Sequence, residues 1–258
     1  MCTLALVTAG GLVTSNDAAL AVPDWPLNWG RLVPPLEGGI RFEFAHRVLA
    51  LLVAVLTAAL AFRMHAREPR PWMRKLAWWA LAAVLAQALL GGAMVKLVDP
   101  KAMAIAHASL AQICFGLTVA IAAEYYGICG AGSLAARIAV PVVFVQSVLG
   151  AAVRHGALGV GWHIGGAIVA AAAAMWASLA LIVRHLEDGK MPRPAMALLG
   201  LTAVQIFSGL AAYAVRAAAV DDPQPMPLTV WTTVGHVVLG ALVFGAAIVM
   251  AKGRKERG

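Results

Sequence analysis

The sequence predicts an all-α membrane protein, with eight transmembrane helices arranged as two pseudo-symmetric four-helix bundles. Three observations carry that expectation. The 258 residues are 62% hydrophobic and 12% charged, with a mean hydropathy of +0.83, whereas about a quarter of an ordinary soluble domain is charged. Eight apolar runs, at about 1–15, 44–62, 75–95, 103–126, 134–153, 162–183, 194–215 and 229–251, approach or reach the roughly 20 residues that a helix needs to cross a bilayer core. Finally, a Gln-x-x-x-Gly motif recurs at a fixed period, and a histidine follows each copy at the next apolar run.

The first run ends at Thr14-Ser15-Asn16-Asp17, a poor small-residue cleavage site, so it reads as a retained helix and not as a signal peptide. A loop of about 28 residues follows, carrying Pro23-Asp24-Trp25-Pro26-Leu27 and Trp29. Two readings stay open for it: an interfacial segment anchored by two indoles with proline-set turns, or a lid over a site at the start of the next helix. The loop arrives at Arg41-Phe42-Glu43-Phe44-Ala45-His46-Arg47. Glu43 and His46 are three residues apart and share a helix face, and an ionisable pair at membrane depth marks a functional site.

From the third run onward the chain repeats itself. Gln87-x-x-x-Gly91, Gln146-x-x-x-Gly150 and Gln205-x-x-x-Gly209 place their glutamines 59 and again 59 residues apart. Each lies in an odd-numbered run, and each is followed near the start of the even run by His107, His163 or His236; His46 completes the set. Lys96, Arg154 and Arg216 follow the glutamines by 9, 8 and 11 residues. The unit is therefore a helical hairpin occurring four times, grouped into halves 1–126 and 127–258. Gln and Gly one turn apart suit close helix packing, with Gly admitting a neighbouring backbone and Gln hydrogen-bonding across it. That role is preferred for the glutamines over ligand contact.

Charge sets topology. Thirteen Lys and Arg fall in the second, fourth and sixth connections and the C-terminal tail, against seven on the other side, so the positive-inside rule puts both termini in the cytoplasm. The net charge of +8 is spread over span ends and forms no basic face for nucleic acid. Cys2, Cys114 and Cys129 have neither zinc spacing nor a disulfide pattern and read as small apolar residues. Glu124, beside Tyr125 and Tyr126, and the turn at Glu187-Asp188-Gly189-Lys190 read as structural. His65, His155 and His185 lie at span ends and read as solvated, with His155 on the outer side where it could line an entrance.

Four histidines at equivalent positions place two imidazoles in each half at similar depth, an arrangement suited to axial ligation of haem iron inside a bundle. Lys96, Arg154 and Arg216 would then face the propionates, although snorkelling at a helix end explains them equally. Zinc or a di-iron centre would want three or four close ligands, including carboxylates, and Glu43-x-x-His46 offers that spacing once.

Pro23-Asp24-Trp25-Pro26-Leu27, Glu43-x-x-His46-Arg47, Gln87-x-x-Leu90-Gly91-Gly92, His107-x-x-Leu110-Ala111 and Gln146-x-x-Leu149-Gly150-Ala151-x-Val153-Arg154-His155 together resemble the haem A synthase family of eight-helix membrane proteins. The resemblance implies a haem-dependent membrane oxidoreductase, set in a bacterial plasma membrane, that oxidises a methyl group of haem O to a formyl group. It implies haem b as cofactor on His163 and His236, substrate haem on His46 and His107, and Glu43 as the catalytic residue. Its partners would be haem O, membrane lipid, an unidentified electron donor and haem O synthase, with no nucleic acid. Family members often carry two cysteines flanking the Pro-Asp-Trp-Pro loop; Val22 and Asn28 stand there in this chain, so loop locking by a disulfide is in doubt. The competing reading is a dihaem b-type cytochrome that only passes electrons, which would need neither Glu43 nor the loop.

Overall fold

The computed structural model describes residues 1–28, 30–97, 100–185 and 191–253. Trp29, the turn Glu187-Asp188-Gly189-Lys190 and the tail cations Arg254, Lys255 and Arg257 lie outside the described residues. Regular structure among the described residues is helical: α1 (Cys2–Ser15), α2 (Ile40–Arg67), α3 (Pro71–Lys96), α4 (Lys101–Tyr125), α5 (Leu134–Arg154), α6 (Val160–Arg184), α7 (Arg193–Ala218) and α8 (Pro227–Ala251). All eight expected runs are helices, and α2 and α3 extend beyond their apolar stretches into charged ends. Among the described residues α2 to α8 are each long and apolar enough to cross a membrane. This is an integral membrane protein. The 14 residues of α1 reach only about 21 Å at 1.5 Å per residue.

Local chemistry fixes the helix ends. Pro71 opens α3 after an extended Arg70, where a missing N–H costs nothing. Ser133 caps α5 by accepting from the Ala136 N–H at 3.3 Å. Beyond α2, a side-chain hydrogen bond from Arg70 holds the Glu68 carboxyl below the usual range. His185, expected to be solvated, caps α6 with its Nδ1 3.0 Å from the Leu181 carbonyl. His65 sets its ring edge against Trp78, with centres 6.1 Å apart. Within the spans Thr57, Ser147 and Thr202 donate to carbonyls one turn back, those of Val53, Val143 and Leu198. These three hydroxyls are thus satisfied where lipid offers no partner.

The chain divides into two compact units. The first comprises Met1–Leu117 and Ser208–Val238, the second Thr118–Phe207 and Leu239–Gly258. In the first, α1 packs on α2 and α2 on α3, around Val53, Val84 and Cys114. The second packs α5 on α6 through rows of small residues: Ala135, Ala136 and Ala139 with Ala170, Ala174 and Ala177, closed by Leu198, Phe244 and Met250. Small side chains let helices approach closely, the main source of association where lipid removes the hydrophobic drive.

The end of α8 shows how the second unit is tied. Its last carbonyls would be orphans, and the segment before α5 supplies their donors: Gly130 N–H to Lys252 O at 2.8 Å, and Ala131 and Gly132 N–H to Met250 O at 3.1 and 3.2 Å. Lys252 Nζ donates to the Ala123 carbonyl at 2.8 Å and pairs with Glu124 at 2.9 Å, giving that intramembrane carboxylate a structural partner. A Cβ on Gly130 would stand 2.5 Å from Met250 Cα and 2.7 Å from Val249 O, backbone atoms that cannot turn aside. Gly130→Ala should therefore destabilise the protein by about 1–3 kcal/mol, seen as a lower thermal midpoint in detergent. Gly200→Ala, whose added methyl meets nothing within 4 Å, should leave the midpoint unchanged or raise it. Equal midpoints for the two variants would contradict the packing.

Candidate functional site

Ile40 starts α2, so Glu43 falls in its first turn and His46 and Arg47 in its second. Glu43 is only 4% exposed, and a carboxylate so buried must be paired or hydrogen-bonded. Its Oε2 accepts from the Val22 N–H at 2.8 Å, and its Oε1 is ion-paired with Arg47. Arg47 in turn donates through Nη1 to Asp24 O (2.9 Å), Leu27 O (3.0 Å) and Asn28 Oδ1 (3.2 Å), and through Nη2 to Val22 O (3.3 Å). One guanidinium thus holds both ends of the segment 22–28, at the two positions where the family resemblance leads one to look for cysteines. Within the loop Asp24 Oδ2 accepts from the Gly30 N–H at 3.0 Å, and Val22 is fully buried. Trp25 lies on α3: a Cβ at Gly92 would come within 2.7 Å of its indole. The neighbouring Gly91 lies against His107.

The four histidines share one environment. A Cβ added to Gly10, Gly91, Gly150 or Gly209 would stand 3.3, 3.1, 2.9 or 2.8 Å from Cε1 of His46, His107, His163 and His236 respectively. Each imidazole therefore rests on bare backbone of the preceding helix, and each histidine is half-buried. The glutamines secure this approach. Gln87 Nε2 donates to His107 O and Gln146 Nε2 to His163 O, both at 2.9 Å, which is the packing role expected of them. In the first hairpin Leu6 stands one turn before Gly10, in the place of glutamine. Gln205 lies over Gly240 of α8, its Nε2 3.2 Å from where a Cβ would stand.

The Nδ1 atoms of the imidazoles differ in their surroundings. His46 has a hydrogen bond with the backbone of Leu6 in α1. His163 Nδ1 lies 3.0 Å from Gln146 Nε2, and the ring also has a hydrogen bond with the Gln146 backbone. His236 Nδ1 lies 3.0 Å from Ser208 Oγ. Ser208 is not singled out by sequence reasoning, although a signal is there: it occupies the place before the motif glycine that Leu90 and Leu149 hold in the second and third hairpins.

The donor set fits haem. Metal–nitrogen bonds of about 2 Å on either side of one ion put two imidazole centres roughly 6 Å apart, and the centres of His46 and His107 are 6.5 Å apart with planes inclined by 69°. Among the described residues no group of three or more His, Cys, Asp or Glu could hold a metal ion, as zinc or di-iron sites would require. Of the expected propionate partners Lys96 and Arg216 are exposed and Arg154 is half-buried at the end of α5. His155 is the C-cap of that helix. An open groove of about 640 Å³ runs along the start of α6 beside Trp162, Gly165 and Gly166, with Leu149 of α5 and Val169 on its walls.

Comparison with known proteins bears on the first half of the chain. Residues 1–119 match the family model described as cytochrome oxidase assembly protein. Curated relatives include haem A synthases from Symbiobacterium thermophilum (38% identical over 89 residues, 34% of this chain and 29% of the relative) and Chelativorans sp. (31% over 129 residues, 45% and 36%). Another, from Wolbachia pipientis, is 33% identical over 119 residues, 42% of this chain and 34% of the relative. The N-terminal half of the chain is thus similar to cytochrome oxidase assembly proteins and to haem A synthases. The matched stretches span about a third of the relatives' length, and no solved structure matches the chain. The family stretch contains Glu43, His46, Arg47, Gln87, Gly91 and His107.

Arg47→Ala should free the loop while leaving the helices in place. Hydrogen bonds to a charged donor contribute about 1.5–3 kcal/mol, so amide hydrogen exchange across residues 22–28 should quicken roughly tenfold or more, with α3 unaffected. Unchanged exchange in that segment would show that Arg47 does not hold it.

Proposed function

We propose that the protein is a haem A synthase, oxidising a methyl group of haem O to a formyl group in its N-terminal half, 1–126. The observation that carries this is the facing pair His46 and His107 at 6.5 Å, with the buried Glu43 one turn before His46. All three lie inside the stretch that matches the family. The pair takes the substrate haem. By equivalence of the hairpins, His163 and His236 in 127–258 are the ligands proposed for haem b, and Lys96, Arg154 and Arg216 the propionate partners. When bound, haem b supplies electron transfer that protein side chains lack. Turning the methyl into a formyl group with water as the oxygen source releases four protons and four electrons, the electrons passing to a redox partner outside the chain, and haem O synthase is the proposed source of substrate.

The chain's own residues bind, orient and exclude water. Glycines opposite the imidazoles bring the helices close enough to set both rings at one depth. The loop 22–28, fastened by Arg47 and seated through Trp25 on Gly92, shields the start of α2. In that dry setting the Glu43 carboxylate stabilises positive charge developing at the methyl carbon or takes up its proton, where a fixed charge acts far more strongly than in water. A dihaem cytochrome would use the histidines alone; the buried carboxylate and its fastened loop favour the enzyme.

Glu43→Gln separates binding from chemistry. The amide keeps an acceptor for the Val22 N–H, so haem should remain bound while haem A output in cells supplied with haem O falls by about 100-fold or more, the usual scale for a general acid or base. Normal haem A output would remove Glu43 from the chemistry, and loss of bound haem would reassign it to structure.

A further inference from the structure

We propose that Ser208 is the positioning residue of His236, fixing it as a firmly held haem ligand; the inference rests on the haem reading given above. Ser208 lies in α7 directly before Gly209, on whose backbone the His236 ring rests, and its Oγ is 3.0 Å from His236 Nδ1. A hydroxyl both donates and accepts. When Nδ1 carries the imidazole proton it donates to Ser208 Oγ, and the lone pair of Nε2 is left for iron. The opposite tautomer puts the proton on Nε2 and abolishes ligation. A leucine, as in the second and third hairpins, offers no such partner. Ser208 thus holds the ring's orientation and accepts the Nδ1 proton in the ligating tautomer, as the outer partners of metal-bound histidines do.

The test uses the full-length protein purified in detergent with its haem b, as wild type and as Ser208→Ala, Ser208→Thr and Ser208→Val. Threonine and valine have nearly the same shape, so their difference reads the hydroxyl apart from packing, and it does so even if the alanine variant fails to fold. Haem b transfer to excess apomyoglobin should be about 10-fold faster or more from the alanine and valine variants, the scale on which outer partners affect metal affinity. Their haem midpoint potential should also rise, because an imidazole without an acceptor on Nδ1 donates less electron density to ferric iron. Ser208→Thr should match wild type in both. Wild-type rate and potential in the valine variant, or a threonine variant as impaired as the valine one, would overturn the role of Ser208. Wild-type protein that carries no haem b would instead strike the haem reading itself.

Discussion

An imidazole pressed against a glycine backbone is the contact around which each hairpin is built. In all four a histidine ring edge occupies the volume that any side chain at Gly10, Gly91, Gly150 or Gly209 would need. This sets the distance between the two helices of the hairpin and the depth of the ring. In the second and third hairpins the glutamine one turn earlier then fastens the pair by donating to the histidine's own carbonyl. Such a bond is made in the low-dielectric interior, where an unmatched amide would be costly. Sequence periodicity, helix packing and ligand placement are here one device used four times.

On that common plan the differences carry function. The first hairpin lacks the glutamine and instead receives the loop, held by the Glu43–Arg47 pair, so the fastening moves from the helix interface to the outer segment. Arg47 touches Val22 and Asn28, and a charged fork with several acceptors can do there what a covalent bridge would do. Such a fastening opens without redox chemistry. The fourth hairpin adds a hydroxyl against its histidine.

The helices and the four histidines are legible in the sequence, because apolar runs bounded by Lys and Arg and a 59-residue period are properties of the chain itself. Glu43 and His46 stand out for a similar reason, as ionisable groups at the edge of an apolar run. What stays hidden depends on meetings between distant positions. Arg47 reads in sequence as one outer cation among seven, since nothing local says that its guanidinium turns back to donate to the loop. Lys252 reads as tail charge, although it is the partner of Glu124, 128 residues earlier. Ser208 differs from its equivalents by one residue type, and that difference gains meaning only when the His236 ring is seen beside it. The charged ends of α2 and α3 fall outside the expected spans because hydropathy stops at the first arginine, whereas the helical backbone continues through it.

Whether the glycine-backed histidines hold two chemically different haems is decided by mass spectrometry of the haem extracted from protein purified out of cells that make haem O. Haem b together with haem O or its oxidised products is the expected result. Haem b as the sole species would point to an electron-transferring cytochrome, and absence of any haem would contradict the assignment of the histidines.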